Sequence, residues 1–400
     1  MLSKLYLGNN EIKAAYLDGK LVFDANPLPT DASIVFIDGH RGIWIDPSDV
    51  STLYQDPYGL TPVTASGQTV GLVLDKSQKL VETPVVTYKF ETAESIAGWI
   101  DATWDAENKA LKATSKPDEY YVTATLRDLN TVFEPSTGYK ITVEVIQGTG
   151  GSYTDILAFN ESDATNSYIG GIKWTNGLGK HTMIALTPNT LAEQLQFRVG
   201  PGNQDRSVLI KSITVTKLQG NHAKQVNESS RPMYMTDGIL HWLRFTSTDT
   251  HLKLLRFATP LVQPFSLVCS TQLADVNTTG SYYYDDWFGG PDRFYIQYQN
   301  PKAVMSGGVA YTSLGSGARQ LWNVVADGPN SYIRNLGAQI NTFSVGESIA
   351  VTSPTFAGGL EGAEGNLAQD MYGFVIHTNT DLSKVAVLEQ YLADKAAIVL

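Results

Sequence analysis

Short runs of apolar, β-branched and aromatic residues mark the whole chain, among them 33–38, 121–126, 140–146, 209–217, 264–271, 293–298 and 371–377. Clusters of Gly, Pro, Asn and Asp separate them, which is the punctuation of an all-β sandwich. The spacing shows no solenoid repeat, no heptad run and no Gly-X-Y tract, so a coiled-coil stalk or collagen-like shaft is excluded within this chain. Two stretches depart from the β pattern. Residues 46–53 open with Asp46-Pro47, where Asp46 or Ser48 suits a helix N-cap and Pro47 the first turn. Across 381–397, Val385, Leu388, Leu392 and Ala396 recur at helical spacing behind the cap candidates Asp381 and Ser383. That predicts a C-terminal helix packed on a sandwich.

The first residues form a unit of their own. Leu5-Tyr6-Leu7, the run 12–17 and Leu21-Val22-Phe23 are split by Gly8-Asn9-Asn10 and by Asp18-Gly19, the second a hairpin signal. Such a β-meander buries little surface alone, so it needs a partner chain or platform. Asn26-Pro27-Leu28-Pro29 reads as a stiff linker.

At 400 residues, 42% of them hydrophobic, the chain is long enough for two or three domains with real cores. Charged residues make up only 17%, and the polar share falls to Thr, Ser, Asn and 35 glycines. A net charge of −11 with dispersed Lys and Arg argues against a nucleic-acid partner. The single cysteine, Cys269, excludes an intrachain disulfide, and its apolar run predicts a buried, inert thiol. Six scattered histidines show no metal-ligand spacing. Gly148-Thr149-Gly150-Gly151 lacks the Lys-Ser/Thr of a phosphate loop and reads as a plain turn. No secretory leader opens the chain, which predicts synthesis in the cytoplasm without an export address. An acidic, β-rich chain made that way suits a virion.

Two separated stretches are more specific. The first runs from Gly42-Ile43-Trp44-Ile45-Asp46-Pro47-Ser48-Asp49 through Gln55-Asp56, Gly59 and Pro62-Val63-Thr64-Ala65 to Leu74-Asp75-Lys76-Ser77. The second comprises Gly220-Asn221-His222-Ala223, Gln225, Arg231-Pro232, Asp237-Gly238 and His241-Trp242-Leu243. Together they resemble a segment of many tailed-bacteriophage tail and fibre proteins, in which the first stretch leads almost directly into the second and then into a concanavalin-A-like (laminin-G-like) lectin sandwich. Residues 371–377 with 381–395 resemble that family's last strand and closing helix, and 5–24 resemble short leading segments of phage tail proteins. Here 83–218 stand between the two motifs. Their segments 90–99, 139–145 and 207–217 resemble the first, middle and last strands of a carbohydrate-binding-module jelly roll. The resemblance therefore implies an all-β chain of three parts: an attachment meander and linker at 1–28, a split lectin-like domain at 29–82 and 219–400, and an inserted jelly roll at 83–218. Insertion in a loop is cheap when the two ends lie close together.

The densest chemistry is Tyr282-Tyr283-Tyr284-Asp285-Asp286-Trp287, followed by Phe288-Gly289-Gly290. Planar rings stack on the apolar face of a sugar while carboxylates accept its hydroxyl protons. Asp285 and Asp286 are also the residues that would ligate a hard cation such as Ca²⁺. The alternative is an aromatic hairpin with alternate rings in the core and the acids in a solvated turn. In the insert, Trp104 between Asp101 and Asp105 suits a sheet edge, and Trp174 in Lys173-Trp174-Thr175-Asn176-Gly177 suits a turn. Either ring would contact sugar there, or else be buried. Trp99, Tyr120 and Tyr121 belong to the same set, and Asn160-Glu161-Ser162-Asp163 is a loop of solvated acids or a calcium loop. Trp44 and Trp242 are expected to tie together the halves of the split domain, and His222 and His241 to be hydrogen-bonded packing residues. No catalytic residue is assigned, because a depolymerase would need two acids facing each other across a groove.

The resemblance then implies a tail fibre or receptor-binding protein of the virion, attached to other tail proteins through 1–28 and binding host-cell surface polysaccharide by avidity. Fibres of this kind are commonly homotrimers, and the same expectation extends to this chain. The same folds would also serve a head, neck or baseplate decoration protein, whose sandwiches contact neighbouring subunits.

Overall fold

The computed structural model describes the backbone of 5–7, 10–12, 14–17, 20–24 and 29–400, apart from 115–123, 128, 148–151, 161–164, 175–177, 192–193, 201–206, 247–249, 274–280, 287–293, 300–301, 306–317, 346–349, 353 and 358–367. Side chains of the strands within 5–24, 152–174 and 281–305 lie outside that description. The chain is all-β, with two β-sandwiches, one inserted in the other, and a single long α-helix at the C-terminal end of the described residues.

One sandwich pairs an eight-stranded sheet with a second sheet of comparable width. The eight-stranded sheet draws its strands from both sides of the insertion: Leu53–Tyr54 and Leu72–Val73 before it, Ala223–Lys224 and Leu252–Leu254 after it, then Thr355–Phe356, Ser281–Asp286, Phe294–Gln299 and Lys302–Met305. In the facing sheet Gln369–His377 is central and pairs with Gly42–Ile45, His241–Phe245 and Phe265–Leu273. Between the sheets lies an apolar core that includes Ile43, Leu53, Phe245, Leu252, Phe356 and Phe374. Phe356 and Phe374 meet edge to face at 3.9 Å.

Helix α1, Leu382–Lys395, covers the outer side of the Gln369–His377 sheet. Asp381 caps it by accepting from the Ser383 N–H, as its sequence predicts. Val385, Leu388 and Leu392 are buried, and Leu388 and Leu392 join Trp44, Val268, Leu321 and Val375 in a second core.

The expected strand at 33–38 is instead a 3₁₀ segment, Ala32–Gly39, opened by Asp31, whose carboxylate accepts from the Ser33 N–H and Oγ–H. Its buried Ala32, Ile34 and Val35 pack in the α1 core, so tertiary contact overrides β-branched propensity. The helix expected at 46–53 shrinks to the 3₁₀ turn Val50–Thr52 between two strands. Asp46 does bind the Ser48 N–H as a cap would. Its other oxygen accepts from the Lys76 ammonium and from the Tyr391 hydroxyl, the second of which ties this segment to α1.

The inserted sandwich is formed by 82–218. A six-stranded sheet holds Glu82–Lys89, Ala102–Asp105, Ala110–Thr114, Gly138–Gln147, Gly179–Leu186 and Ser207–Leu218. It faces a five-stranded one of Trp99–Ile100, Ala124–Leu126, Ser152–Asn160, Thr165–Trp174 and Gln194–Gly200. Along Gly138–Gln147 the buried Tyr139, Ile141, Val143 and Val145 alternate with more exposed Lys140, Thr142 and Glu144, the period of a half-buried strand. The first strand starts at Glu82 rather than at Phe90, because Glu82 pairs with Leu218 and continues to Lys89 opposite Ser212. At the N-terminus the middle apolar run divides, giving two hairpins: Leu5–Leu7 with Asn10–Ile12, and Ala14–Leu17 with Lys20–Asp24.

Candidate functional site

The two sandwiches meet along a seam built at the points where the chain leaves and re-enters the first sandwich. Glu82 faces Leu218 in register, and the Gln219 N–H donates to the Val81 carbonyl at 3.0 Å. Beside this junction the fully buried Asp75 carboxylate accepts from the Trp44 N–H (2.8 Å), the Ser77 N–H (2.8 Å), the Ser77 hydroxyl (2.9 Å) and the Asn221 N–H (2.7 Å). The Asp75 N–H in turn donates to His222 Nδ1 at 3.0 Å. His222 is a buried packing residue, and a Cβ placed at Gly138 of the insert would come within 2.5 Å of its ring. Leu72, Leu74 and Leu255 of one sandwich then pack on Ile184, Leu186 and Leu218 at the edge of the other.

Along the seam, outside this contact, lie clefts of about 400, 360 and 240 Å³. Adjacent clefts share lining residues, Asn189 between the first two and Phe257 between the last two. The largest brings Thr187 and Asn189 of the insert opposite Lys224, Gln225, His251 and Lys253. Sites of this volume at domain interfaces are where proteins most often hold small ligands. Lys224 and Lys253 face each other directly across neighbouring antiparallel strands. The Lys224 ammonium donates to the Leu186 carbonyl at 3.4 Å. Burial, and then the Lys253 charge beside it, push the Lys224 pKa down. Gln225 is anchored on both sides, its carbonyl accepting from the Asn227 N–H and its amide lying 2.8 Å from His251 Nε2.

The strand Ser281–Asp286 belongs to the same eight-stranded sheet. Its register places Tyr284 opposite Phe356, in the row that continues to the core residue Leu252. Asp285 stands opposite Thr355, in the row that continues to Lys253 and Lys224. A register shift between Tyr282 and Tyr284 leaves Tyr283 without an opposite number on Phe294–Gln299. Asp285 and Asp286 are strand residues rather than turn residues, since pairing with Tyr295 and Phe294 extends through both. The side chains from Tyr282 to Asp286, and Trp287 altogether, lie outside the described residues.

In the insert, Trp104 sits on the edge strand Ala102–Asp105, half-buried, with its indole N–H donating to the Phe90 carbonyl at 3.2 Å. Trp99 is a core residue, edge to face on Phe90. Trp174 ends the strand Thr165–Trp174 opposite Ser152. Its ring, Tyr120, Tyr121 and 161–163 fall outside the described residues.

Trp44 lies under α1 against Tyr391, with the Lys76 ammonium 4.3 Å from its ring centre. Trp242 packs on Tyr372. The Trp44 ring thus ties the first half of the split domain to the second, as Asp75, Asn221 and His222 also do, whereas Trp242 packs within the second half. His241 Nδ1 is 2.6 Å from the Tyr234 hydroxyl. Cys269 packs at the core margin, where burial pushes its thiol up to about 12. Among the described residues no group of His, Cys, Asp and Glu is placed to hold a metal ion.

Lys224, Lys253, Gln225, His251 and Asn189 were not legible as a site. They come from three separate segments, and only the strand pairing sets the two lysines side by side.

No protein-family model and no curated protein matches this chain. Solved structures similar to it are sialidase and carbohydrate-binding-module β-sandwich proteins. The Trypanosoma rangeli sialidase in complex with sialic acid aligns at 12% identity and a TM-score of 0.33, over 46% of this chain and 31% of that one. The chain thus spans about a third of that sialidase. The tandem CBM22-1–CBM22-2 domain of Paenibacillus barcinonensis Xyn10C aligns at 10% identity and a TM-score of 0.30, over 75% and 98%. A truncated AlyQ with CBM32 and alginate lyase domains aligns at 8% and 0.25, also over 75% and 98%.

Proposed function

We propose that this chain is a tail-fibre or receptor-binding protein of a tailed-phage virion, and that it holds host-surface glycans in the cleft between its two sandwiches. The observation that carries the glycan part is the cleft itself, where amide and ammonium side chains from both sandwiches line one ligand-sized space beside an apolar wall. Hydrogen-bonding side chains over an apolar surface match the two-faced chemistry of a pyranose ring. The virion part rests on the resemblance of 42–77 and 220–245 to phage tail proteins. The two N-terminal hairpins suit attachment, because two-stranded pieces of that size need a platform to be stable. A homotrimer on the particle would multiply a weak site into firm attachment.

The test is binding of the purified protein to a panel of bacterial cells, with extracted surface polysaccharide as competitor and a variant lacking 1–28 in parallel. Saturable binding that the polysaccharide abolishes and the deletion leaves intact is the expected result. Binding that ignores the polysaccharide, or no binding to any strain, contradicts the reading.

A further inference from the structure

We propose that the cleft between the sandwiches selects a negatively charged saccharide, whose carboxylate or phosphate group sits between Lys224 and Lys253. The proposal rests on the glycan reading above and adds the charge of the ligand.

The net charge of −11 makes a concentration of cations on this chain informative. The largest seam cleft carries two lysines and a histidine, and no carboxylate among its described lining residues. Directly opposed like charges on neighbouring strands destabilise a sheet, and here the register imposes that pairing. Lys224 is also half-buried, with its ammonium against the Leu186 carbonyl of the insert. Among the described residues its ammonium makes one hydrogen bond, to the Leu186 carbonyl, although it has three protons to donate. Burying a cation is unfavourable unless it is paired. An anion between Lys224 and Lys253 lowers the repulsion between them and offers the Lys224 ammonium a further acceptor. Carboxylates and phosphates share that chemistry, as acceptors of charge-assisted hydrogen bonds.

Calorimetric titration with three oligosaccharide sets tests this: neutral hexoses, uronic-acid oligomers, and phosphate-substituted oligomers of the same length. The proteins are wild type, Lys224→Gln/Lys253→Gln, and Lys224→Arg/Lys253→Arg, each first shown to melt cooperatively. Wild type is expected to bind at least one acidic set and not the neutral set. The Gln pair should weaken that binding about tenfold or more, the worth of one charge-assisted contact, and the Arg pair should keep most of it. Whether uronate or phosphate oligomers bind identifies the source of the charge. Neutral oligomers binding as well as acidic ones, or acidic binding that survives the Gln pair, overturns the proposal and leaves the glycan reading standing. No binding to any set overturns both.

Discussion

Asp75 accepts four hydrogen bonds where the inserted sandwich joins its host, and two of them come from opposite sides of the insertion, Trp44 and Asn221. Asp75→Asn keeps the shape but turns an NH₂ toward either the Asn221 or the Trp44 N–H. Leaving such a buried donor unpaired costs about 1–3 kcal/mol, measurable by urea denaturation. The same node sets a pH dependence. Burial pushes the Asp75 carboxyl up to about 6, so the fold holds that proton more tightly than the unfolded chain, and its contribution grows as pH falls below about 6. Burial lowers His222 to about 4 and His377 to about 3, so both act the other way. The unfolded chain takes up protons below about 6.5 that the fold refuses, and stability is lost as pH falls. Two protons outweigh one, so between pH 6 and 4.5 the fold should lose on the order of 1 kcal/mol per pH unit. His377→Gln should flatten that slope, and a slope unchanged in the variant would contradict the assignment. Lys224 makes a further prediction at this scale. Its charge is disfavoured by burial and by Lys253, so Lys224→Gln should melt at or above the wild-type temperature while losing ligand. A lower melting temperature would mean that the residue is structural.

At the scale of elements, α1 is both legible and accountable. Its cap and its apolar spacing stand in the sequence, and it stops at Lys395, short of the expected 397. Leu392 lies so close over Gly373 that a Cβ there would be 2.7 Å from its Cδ2. Leu392→Ala should therefore cost about 2–5 kcal/mol, and Asp381→Ala about 1 kcal/mol, both read by thermal or chemical melts. The buried Glu389 adds an ion pair to Arg334 at 2.9 Å and accepts from the Asn323 amide at 2.7 Å, fixing the helix on its sheet. The 3₁₀ segment Ala32–Gly39 was not legible, because Ser33-Ile34-Val35-Phe36-Ile37 carries strand propensity throughout. What bends it is the Asp31 cap together with the α1 surface, and that surface is supplied by residues some 350 positions away. Long alternating strands such as Gly138–Gln147 needed no such partner to be read.

At the largest scale the described residues from 29 onward form layers: α1, two sheets of one sandwich, and the inserted sandwich packed on the eight-stranded sheet. Because Val81 and Gln219 are hydrogen-bonded neighbours, excising 82–218 and closing the gap with a short turn should leave the host sandwich folded. It should be less stable, since Leu72, Leu74 and Leu255 lose Ile184, Leu186 and Leu218, and it should lose glycan binding with the far wall of the cleft. An excised chain that still bound would place the site elsewhere. The all-β class and the terminal helix could be read from local pattern, whereas the cleft could not. A seam between two units is a product of pairing register, and no local window of sequence contains Lys224, Lys253 and Asn189 together. The most direct test is a crystal structure of the protein soaked with whichever acidic oligosaccharide binds it in solution. The account predicts sugar density in the seam cleft, with its charged group between Lys224 and Lys253. Density at the Tyr282–Asp286 strand alone, or at a surface remote from the seam, would contradict it.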